Sequence, residues 1–249
     1  MYCKYMSSFL FFGCWNRDYC NVDITPRDVV LGLIRENLKI LKPDRLIVGG
    51  DNIYQLETTR GKINRKITVD NGFSGLKSLD IPVHILLGNH DDDGKNCVLE
   101  YQLSKIDGNL QMFSHNSALK DNRIHYIYLN TNWLEDSTQL AEFIIDNIQV
   151  DRLNIIIAHH PIFCFEGKKR NSYKGLDNFC AKLFPFLKAN SIRCMYLCAD
   201  THNFQATVIE YGGYTLPQFI VGTGGAQLHS IPRLGTYMDG DITLHNKFA

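Results

Sequence analysis

Short apolar runs that alternate with helical patterns constrain the fold of this chain more than any other feature. The runs end at glycine or polar residues, as buried strands do. They cover 8–12, 45–50, 82–88, 123–130, 153–158 and 193–199. Between the first two runs, the segment 25–43 carries apolar residues at helical spacing, with Thr25 as N-cap and Pro26 at the first helical position. This alternation is typical of parallel βαβ units, so the sequence predicts an α/β protein.

The rest of the chain continues the same pattern. Helices are predicted over 137–148 and 176–190, and the segment 206–222 predicts a hairpin that turns at Gly212 and Gly213. We find no internal repeat, low-complexity segment or linker. A chain of 249 residues lies within the range of one α/β domain, so we predict a single domain over 1–249.

Charge and cysteine content exclude several classes of protein. Lys and Arg number 26 and Asp and Glu number 26, so no general affinity for nucleic acid is expected. No apolar run is long enough to span a bilayer, and the run at 7–12 is too short for a signal peptide. The eight cysteines form no CxxC or zinc-finger spacing, which favours reduced thiols. We therefore expect a cytoplasmic protein with no membrane partner.

Polar, metal-capable side chains follow five of the predicted strands. They are Cys14, then Asp51, Asn52 and Tyr54, then Asn89, His90 and Asp91, then His159 and His160, and finally Asp200 and His202. Because parallel strands bring their carboxyl ends to one edge of a sheet, these side chains should lie close together. Carboxylate, amide, imidazole, phenolate and thiolate groups suit two adjacent transition metals about 3.5–4 Å apart.

At these positions the chain resembles the calcineurin-like metallophosphoesterases, and within them the purple acid phosphatase branch. GGDNIY at 49–54 matches the GDNxY motif of that branch, and GNHD at 88–91 matches the family's GNH[DE]. HHP at 159–161 matches H-x-P, and CADTHNFQ at 198–205 is similar to the GHxHxxQ block. The resemblance extends from about residue 11 to 226. It implies a four-layer αββα sandwich of two mixed β-sheets flanked by helices, with the metal site at one edge.

The resemblance also implies a ligand set for two transition-metal ions, which could be iron, manganese or zinc. Asp51 would bridge both ions. The first ion would also bind Tyr54 and His202, and the second would also bind Asn89 and His159.

The implied reaction is hydrolysis of a phosphomonoester on a small molecule or a protein. A metal-bound hydroxide would attack phosphorus, while His90, held by Asp91, would protonate the leaving oxygen. Asn89, His90 and His160 would contact the substrate phosphate. A phosphodiester substrate is an alternative that the sequence leaves open.

Two positions depart from the family pattern. The first motif reads GCWN, so Cys14 stands where a metal-binding aspartate is expected, and Asp200 replaces the first histidine of GHxH. Thiolate and carboxylate both bind transition metals, so each can replace the lost ligand. The alternative is a non-catalytic or weakly active protein that keeps the fold for binding or scaffolding and has a degenerate metal site.

Overall fold

The structure is a computed structural model. It describes residues 7–17, 25–54, 57–58, 61–62, 65–91, 98–121, 123–132, 137–166, 169–172, 176–226, 228, 235–239 and 241–248. Among these residues, the strands in chain order are β1 Phe9–Phe12, β2 Arg45–Val48, β3 Glu57–Thr58, β4 Gly61–Lys62, β5 Val83–Leu86, β6 Leu110–Phe113, β7 Ser117–Lys120, β8 Ile124–Tyr128, β9 Leu153–Ile157, β10 Phe163–Glu166, β11 Lys169–Ser172, β12 Arg193–Cys198, β13 Phe204–Tyr211, β14 Tyr214–Val221, β15 Gly235–Asp239 and β16 Ile242–Phe248. The helices are α1 Pro26–Leu41, α2 Arg65–Lys77, α3 Val98–Ser104, α4 Ser137–Asn147 and α5 Leu176–Ala189.

All the strands and helices predicted above are present, with ends that differ by one or two residues. The start of α1 shows why the sequence specifies it. The Thr25 hydroxyl accepts a hydrogen bond from the backbone N–H of Asp28, and the Asp28 carboxylate accepts one from the backbone N–H of Thr25. This reciprocal cap satisfies two amide donors that the first helical turn cannot pair internally.

Two sheets form the centre of the molecule. The smaller has the order β1-β2-β5-β6, and the larger has the order β15-β16-β13-β14-β12-β9-β8-β7. The larger sheet is mixed, as predicted. In the smaller sheet, every pairing among the described strands is parallel.

Alternation along the strands produces the four layers. In β2, Leu46 and Val48 pack in a buried cluster with residues of α1 and α2, whereas Ile47 packs with Tyr126 and Tyr128 of the larger sheet. On the far side, α4 and α5 contribute to a second buried cluster with β8, β9 and β12. Neighbouring side chains on a strand point to opposite faces of its sheet. One face of each sheet therefore packs against helices, and the other face packs against the other sheet. The predicted helix–sheet–sheet–helix fold is confirmed.

Two observations concern the cysteines and the predicted lack of a membrane-spanning segment. The described cysteines are buried and form no disulfide bond with one another; Cys3, Cys20 and Cys97 lie outside the described residues. Within the part of the chain that the structure covers, no helix has the length and apolar character needed to cross a bilayer.

Candidate metal centre

The predicted ligands lie in the turns that follow β1, β2, β5, β9 and β12, at one edge of the sandwich. Backbone hydrogen bonds join the two sheets at this edge. The amide of Gly13, after β1 of the smaller sheet, donates to the carbonyl of Val221 in β14 of the larger sheet at 3.1 Å, and the amide of Ala226, after β14, donates to the carbonyl of Cys14 at 3.0 Å. The two sheets therefore bring their functional turns together, as the resemblance implies.

His159 is the centre of the donor atoms that are expected to bind the second ion. Its Nδ1 lies 2.7 Å from the carbonyl oxygen of Gly49, which can only accept, so Nδ1 carries the proton in that contact. Its Nε2 lies 3.0 Å from Asn89 Oδ1, 3.3 Å from Asp51 Oδ1 and 3.6 Å from Asp200 Oδ1. Metal-binding histidines are oriented in this way by a hydrogen bond from the other ring nitrogen.

The electrostatics of this group favour a cation. His159 is completely buried, which opposes protonation, but the nearby carboxylates of Asp51 and Asp200 outweigh burial and raise its pKa. Three oxygen atoms that face one imidazole nitrogen repel one another unless a proton or a metal ion lies between them. The donor set therefore fits a transition metal, and Asp200 lies where the second ion would need its replacement ligand.

Asp51 lies between two groups of donors. Its Oδ1 faces His159 and accepts a hydrogen bond from the backbone N–H of His90 at 3.1 Å. Its Oδ2 accepts a hydrogen bond from the Tyr54 hydroxyl at 2.9 Å, and that hydroxyl lies 3.1 Å from Nε2 of His202. The two oxygens of one carboxylate thus serve different ligand groups, which is the arrangement expected of a bridging ligand.

Cys14 lies beside Tyr54, among the donors that are expected to bind the first ion. Its side chain is fully buried against Tyr54, Ala199 and Ala226, and its Sγ, an oxygen of Asp51 and a nitrogen of His159 lie within 4.8 Å of one another. Burial, followed by the charge of Asp51, raises the pKa of the thiol well above its usual value. Without a cation the group is therefore a neutral thiol, whereas coordination to a metal would remove its proton.

Three of the candidate ligands have an unusual backbone conformation. The φ angles of Cys14, Asp51 and Asp200 are 56°, 54° and 50°. This left-handed region is costly for residues other than glycine, and such residues concentrate at functional sites. At Gly88 the constraint is space, because a Cβ there would lie 2.3 Å from Asp51 Oδ1 and would clash with this carboxylate.

The structure corrects the predicted role of Asp91. The carboxylate is buried and accepts hydrogen bonds from the backbone N–H of Asn52 at 2.9 Å, from Asn52 Nδ2 at 2.9 Å and from the backbone N–H of Gly88 at 2.7 Å. Among the described contacts it does not hold the His90 ring, which is exposed with its centroid 4.8 Å from that of Tyr54. Asp91 instead joins the turn of Asp51 to the turn of Asn89.

Asn52 is a positioning residue that the sequence analysis noted without assigning a role. It is fully buried, accepts a hydrogen bond from Trp15 Nε1 at 3.2 Å, and donates from Nδ2 to the carbonyl of Leu86 at 2.7 Å and to Asp91. Its own carbonyl accepts from Asn16 Nδ2 at 2.7 Å. The position of Asn52 in a strand-end motif was the available sequence signal. It could not identify the hydrogen-bond partners of Asn52, because they are distant in sequence.

Thr131 is a second residue that the sequence analysis missed. Its hydroxyl lies 2.8 Å from Nδ1 of His160 and accepts a hydrogen bond from the backbone N–H of His160 at 3.2 Å. Burial, followed by the neighbouring His159, lowers the pKa of His160 to about 4. No sequence signal marks Thr131, because hydroxyl residues are common in the loops that follow strands.

Comparisons with known proteins agree with this architecture. The chain matches the model of the calcineurin-like phosphoesterase family over residues 8–204. Among solved structures, it is similar to a dimetal phosphatase from Danio rerio, with 11% identity, a TM-score of 0.55, and coverage of 85% of this chain and 86% of that chain. It is also similar to GAP50, the anchor in the inner membrane complex of Plasmodium, with 14% identity, a TM-score of 0.55, and coverage of 96% and 78%. No curated protein matches the chain significantly.

Proposed function

This chain belongs to the calcineurin-like phosphoesterase family, and we propose that it hydrolyses phosphomonoesters at a dinuclear metal centre around Asp51. The observation that carries the proposal is the position of the Asp51 carboxylate, whose Oδ1 faces His159 and whose Oδ2 accepts from Tyr54. One side chain that presents an oxygen to each of two donor groups supports two ions that share a ligand. Tyr54 is the residue that favours the purple acid phosphatase branch.

Two ligand groups would hold the ions. Cys14, Tyr54 and His202 would complete the first site around Asp51. Asn89, His159 and Asp200 would complete the second. Iron, zinc and manganese are the candidates, and the thiol and the imidazoles favour iron or zinc over manganese. When bound, the ions would supply Lewis acidity, polarising phosphoryl oxygens and lowering the pKa of a coordinated water.

The remaining roles belong to exposed side chains at the edge of the centre. Asn89 and His90 are both exposed, so they can reach a substrate phosphate. His90 carries the general-acid role, because its ring lies beside Tyr54 while its backbone N–H is fixed to Asp51. Its proton would pass to the leaving oxygen as the bond to phosphorus breaks. Asp91 contributes by holding the turn that presents both side chains.

A second candidate function is an anchor or scaffold that needs no catalysis. GAP50, which has a similar fold, is described as an anchor. The observation in this chain that favours such a role is the apolar packing of Cys14, which is buried with Tyr54, Ala199 and Ala226 as an ordinary small core residue would be.

The test compares Asp51→Asn with the wild type. The substitution preserves shape but removes the charge that both ions would share. Each protein is purified, dialysed with iron, zinc or manganese, analysed for metal content, and assayed with 4-nitrophenyl phosphate and bis(4-nitrophenyl) phosphate. The matched control is Asp146→Asn, on the exposed surface of α4.

We expect the wild type and the control to bind metal and cleave the monoester, and Asp51→Asn to lose both properties. A wild-type protein that binds no metal and cleaves neither ester would refute the enzyme proposal and favour the scaffold. Cleavage of the diester alone would change the substrate class to phosphodiesters.

A further inference from the structure

A second cluster of donor atoms lies beside the bridging carboxylate. His159, His160 and Asp200 each offer one ligand atom, and these three atoms lie within 4.8 Å of one another. Ligand atoms of one tetrahedral ion lie about 3.3 Å apart when the metal–ligand distance is about 2.0–2.1 Å. Small side-chain movements therefore bring all three atoms onto one ion. His160 is the member of this cluster to which the sequence assigned only substrate contact.

The orientation of His160 is fixed by its surroundings. Its ring is held through Nδ1 by the Thr131 hydroxyl, its backbone N–H donates to the same hydroxyl, and its carbonyl accepts a hydrogen bond from the Tyr196 hydroxyl at 2.9 Å. Thr131 and Tyr196 are both buried. The ring packs edge-on against His159, with centroids 4.9 Å apart. A side chain that only touched a passing substrate would not need this many contacts.

The Thr131 contact also suits a metal ligand. One lone pair of Thr131 Oγ1 receives the backbone N–H of His160, and the other can accept the Nδ1 proton. In that tautomer Nε2 of His160 presents a lone pair. The same division of roles holds for His159, whose Nδ1 donates to Gly49. Metal-binding histidines follow this pattern in most proteins.

We propose that His160 is a ligand of the second metal ion and supplies there the imidazole that is lost at Asp200. The proposal rests on the proposed function. The side chain of Asp200 is 35% exposed, so it offers a hydrated carboxylate where the family pattern has a histidine. An imidazole from His160 restores the nitrogen donor, and Thr131 acts as its positioning residue.

Metal analysis of full-length variants tests the assignment. Zinc content after dialysis and zinc affinity by chelator competition are measured for the wild type, His160→Ala, Thr131→Val and Thr131→Ser. We expect two zinc ions in the wild type and the loss of one in His160→Ala. Removal of the Thr131 hydroxyl in Thr131→Val should weaken one site about 10–100-fold, and Thr131→Ser should retain its affinity. The control is His245→Ala, which removes a histidine in β16 that contacts Thr236 and Glu210.

A compensating variant separates ligation from folding. In the double variant Asp200→His, His160→Ala, the imidazole returns to the family position, so the second zinc ion should return. If His160→Ala binds two zinc ions with unchanged affinity and only raises KM, the assignment is refuted and substrate contact remains its role. Wild-type protein that binds neither zinc, iron nor manganese and cleaves neither ester would refute both this assignment and the proposed function.

Discussion

The buried side chain of Asn52 should contribute a large part of the stability of this edge of the fold. Asn52→Ala removes three hydrogen bonds, those with Trp15 Nε1 at 3.2 Å, with the Leu86 carbonyl at 2.7 Å and with Asp91 Oδ2 at 2.9 Å. Asn52, Trp15 and Leu86 are fully buried, and Asp91 nearly so. The backbone hydrogen bond from Asn52 to Asp91 survives the substitution.

The magnitude follows from the groups that lose their partners. A buried donor or acceptor that is left unsatisfied costs about 1–3 kcal/mol, so three of them cost about 3–9 kcal/mol if they are independent. Because two of the three share Asn52 Nδ2, the losses are not additive, and we expect about 4 kcal/mol. Domains of this kind have a free energy of unfolding of about 5–15 kcal/mol. A chain of this size should therefore lose about 8–16 °C in Tm.

The measurement is the Tm of the metal-free protein, with thermal unfolding monitored by circular dichroism. Trp15 fluorescence should change as well, because its indole N–H loses its acceptor. The control is Asn37→Ala, which removes one hydrogen bond to the carbonyl of Leu33 on the exposed surface of α1 and should shift Tm by about 2 °C or less. A fall in Tm for Asn52→Ala that is no larger than that of the control would refute the reasoning.

Four further predictions concern single side chains. Cys14→Ala should lose one metal ion and Cys14→Asp should retain it, as measured by elemental analysis; equal metal content in Cys14→Ala would make the thiol a packing residue. In the iron-loaded protein, Tyr54→Phe should abolish the phenolate charge-transfer band in the visible spectrum, and a persistent band would argue against Tyr54 as a ligand. His90→Ala should lower kcat for alkyl phosphates by about 10²–10⁴-fold, and by less for aryl phosphates with good leaving groups; equal losses would indicate a structural role. Burial, followed by Arg45, lowers the pKa of His84 to about 4, so the unfolded chain takes up a proton below about pH 6.5 that the folded protein does not bind until near pH 4. Stability should therefore fall as pH drops between these values, and urea denaturation of His84→Gln should show a weaker fall.

The central strands were predictable because local pattern and tertiary burial coincide in them. Ile155, Ile156 and Ile157 of β9 are all buried, and a continuous apolar run of this kind is typical of a strand covered on both faces. The edge strand β7 was missed for the opposite reason. Its sequence SALK at 117–120 is partly exposed and carries no apolar run, so only its pairing with β8 makes it a strand.

The ligand positions were predictable from topology, but the contacts between them were not. Parallel strands alone place Asp51 and Asn89 at one edge of the smaller sheet, whereas His159 follows β9 of the larger sheet and reaches them because the two sheets pack together. The hydrogen bonds that orient these residues come from Asn52 and Thr131, which are neutral and common in loops. A sequence pattern does not specify which of several neighbouring donors a carboxylate such as Asp91 will accept.

The stability of the metal-free centre links these observations. Left-handed φ angles at residues other than glycine cost about 1–3 kcal/mol each, and Cys14, Asp51 and Asp200 all have them. Oxygen atoms of Asp51, Asn89 and Asp200 also crowd Nε2 of His159. A metal ion at this point would bind these oxygens together with the imidazole nitrogen, so metal binding should stabilise the fold as well as supply chemistry. At 100 times its dissociation constant a ligand adds about 2.7 kcal/mol, which is comparable to the strain at one or two of these residues. The proposed metal would therefore offset part of the backbone strain in these turns. The same turns are held together by the hydrogen bonds of Asn52 and Asp91, so metal binding and these hydrogen bonds should stabilise the same edge of the fold.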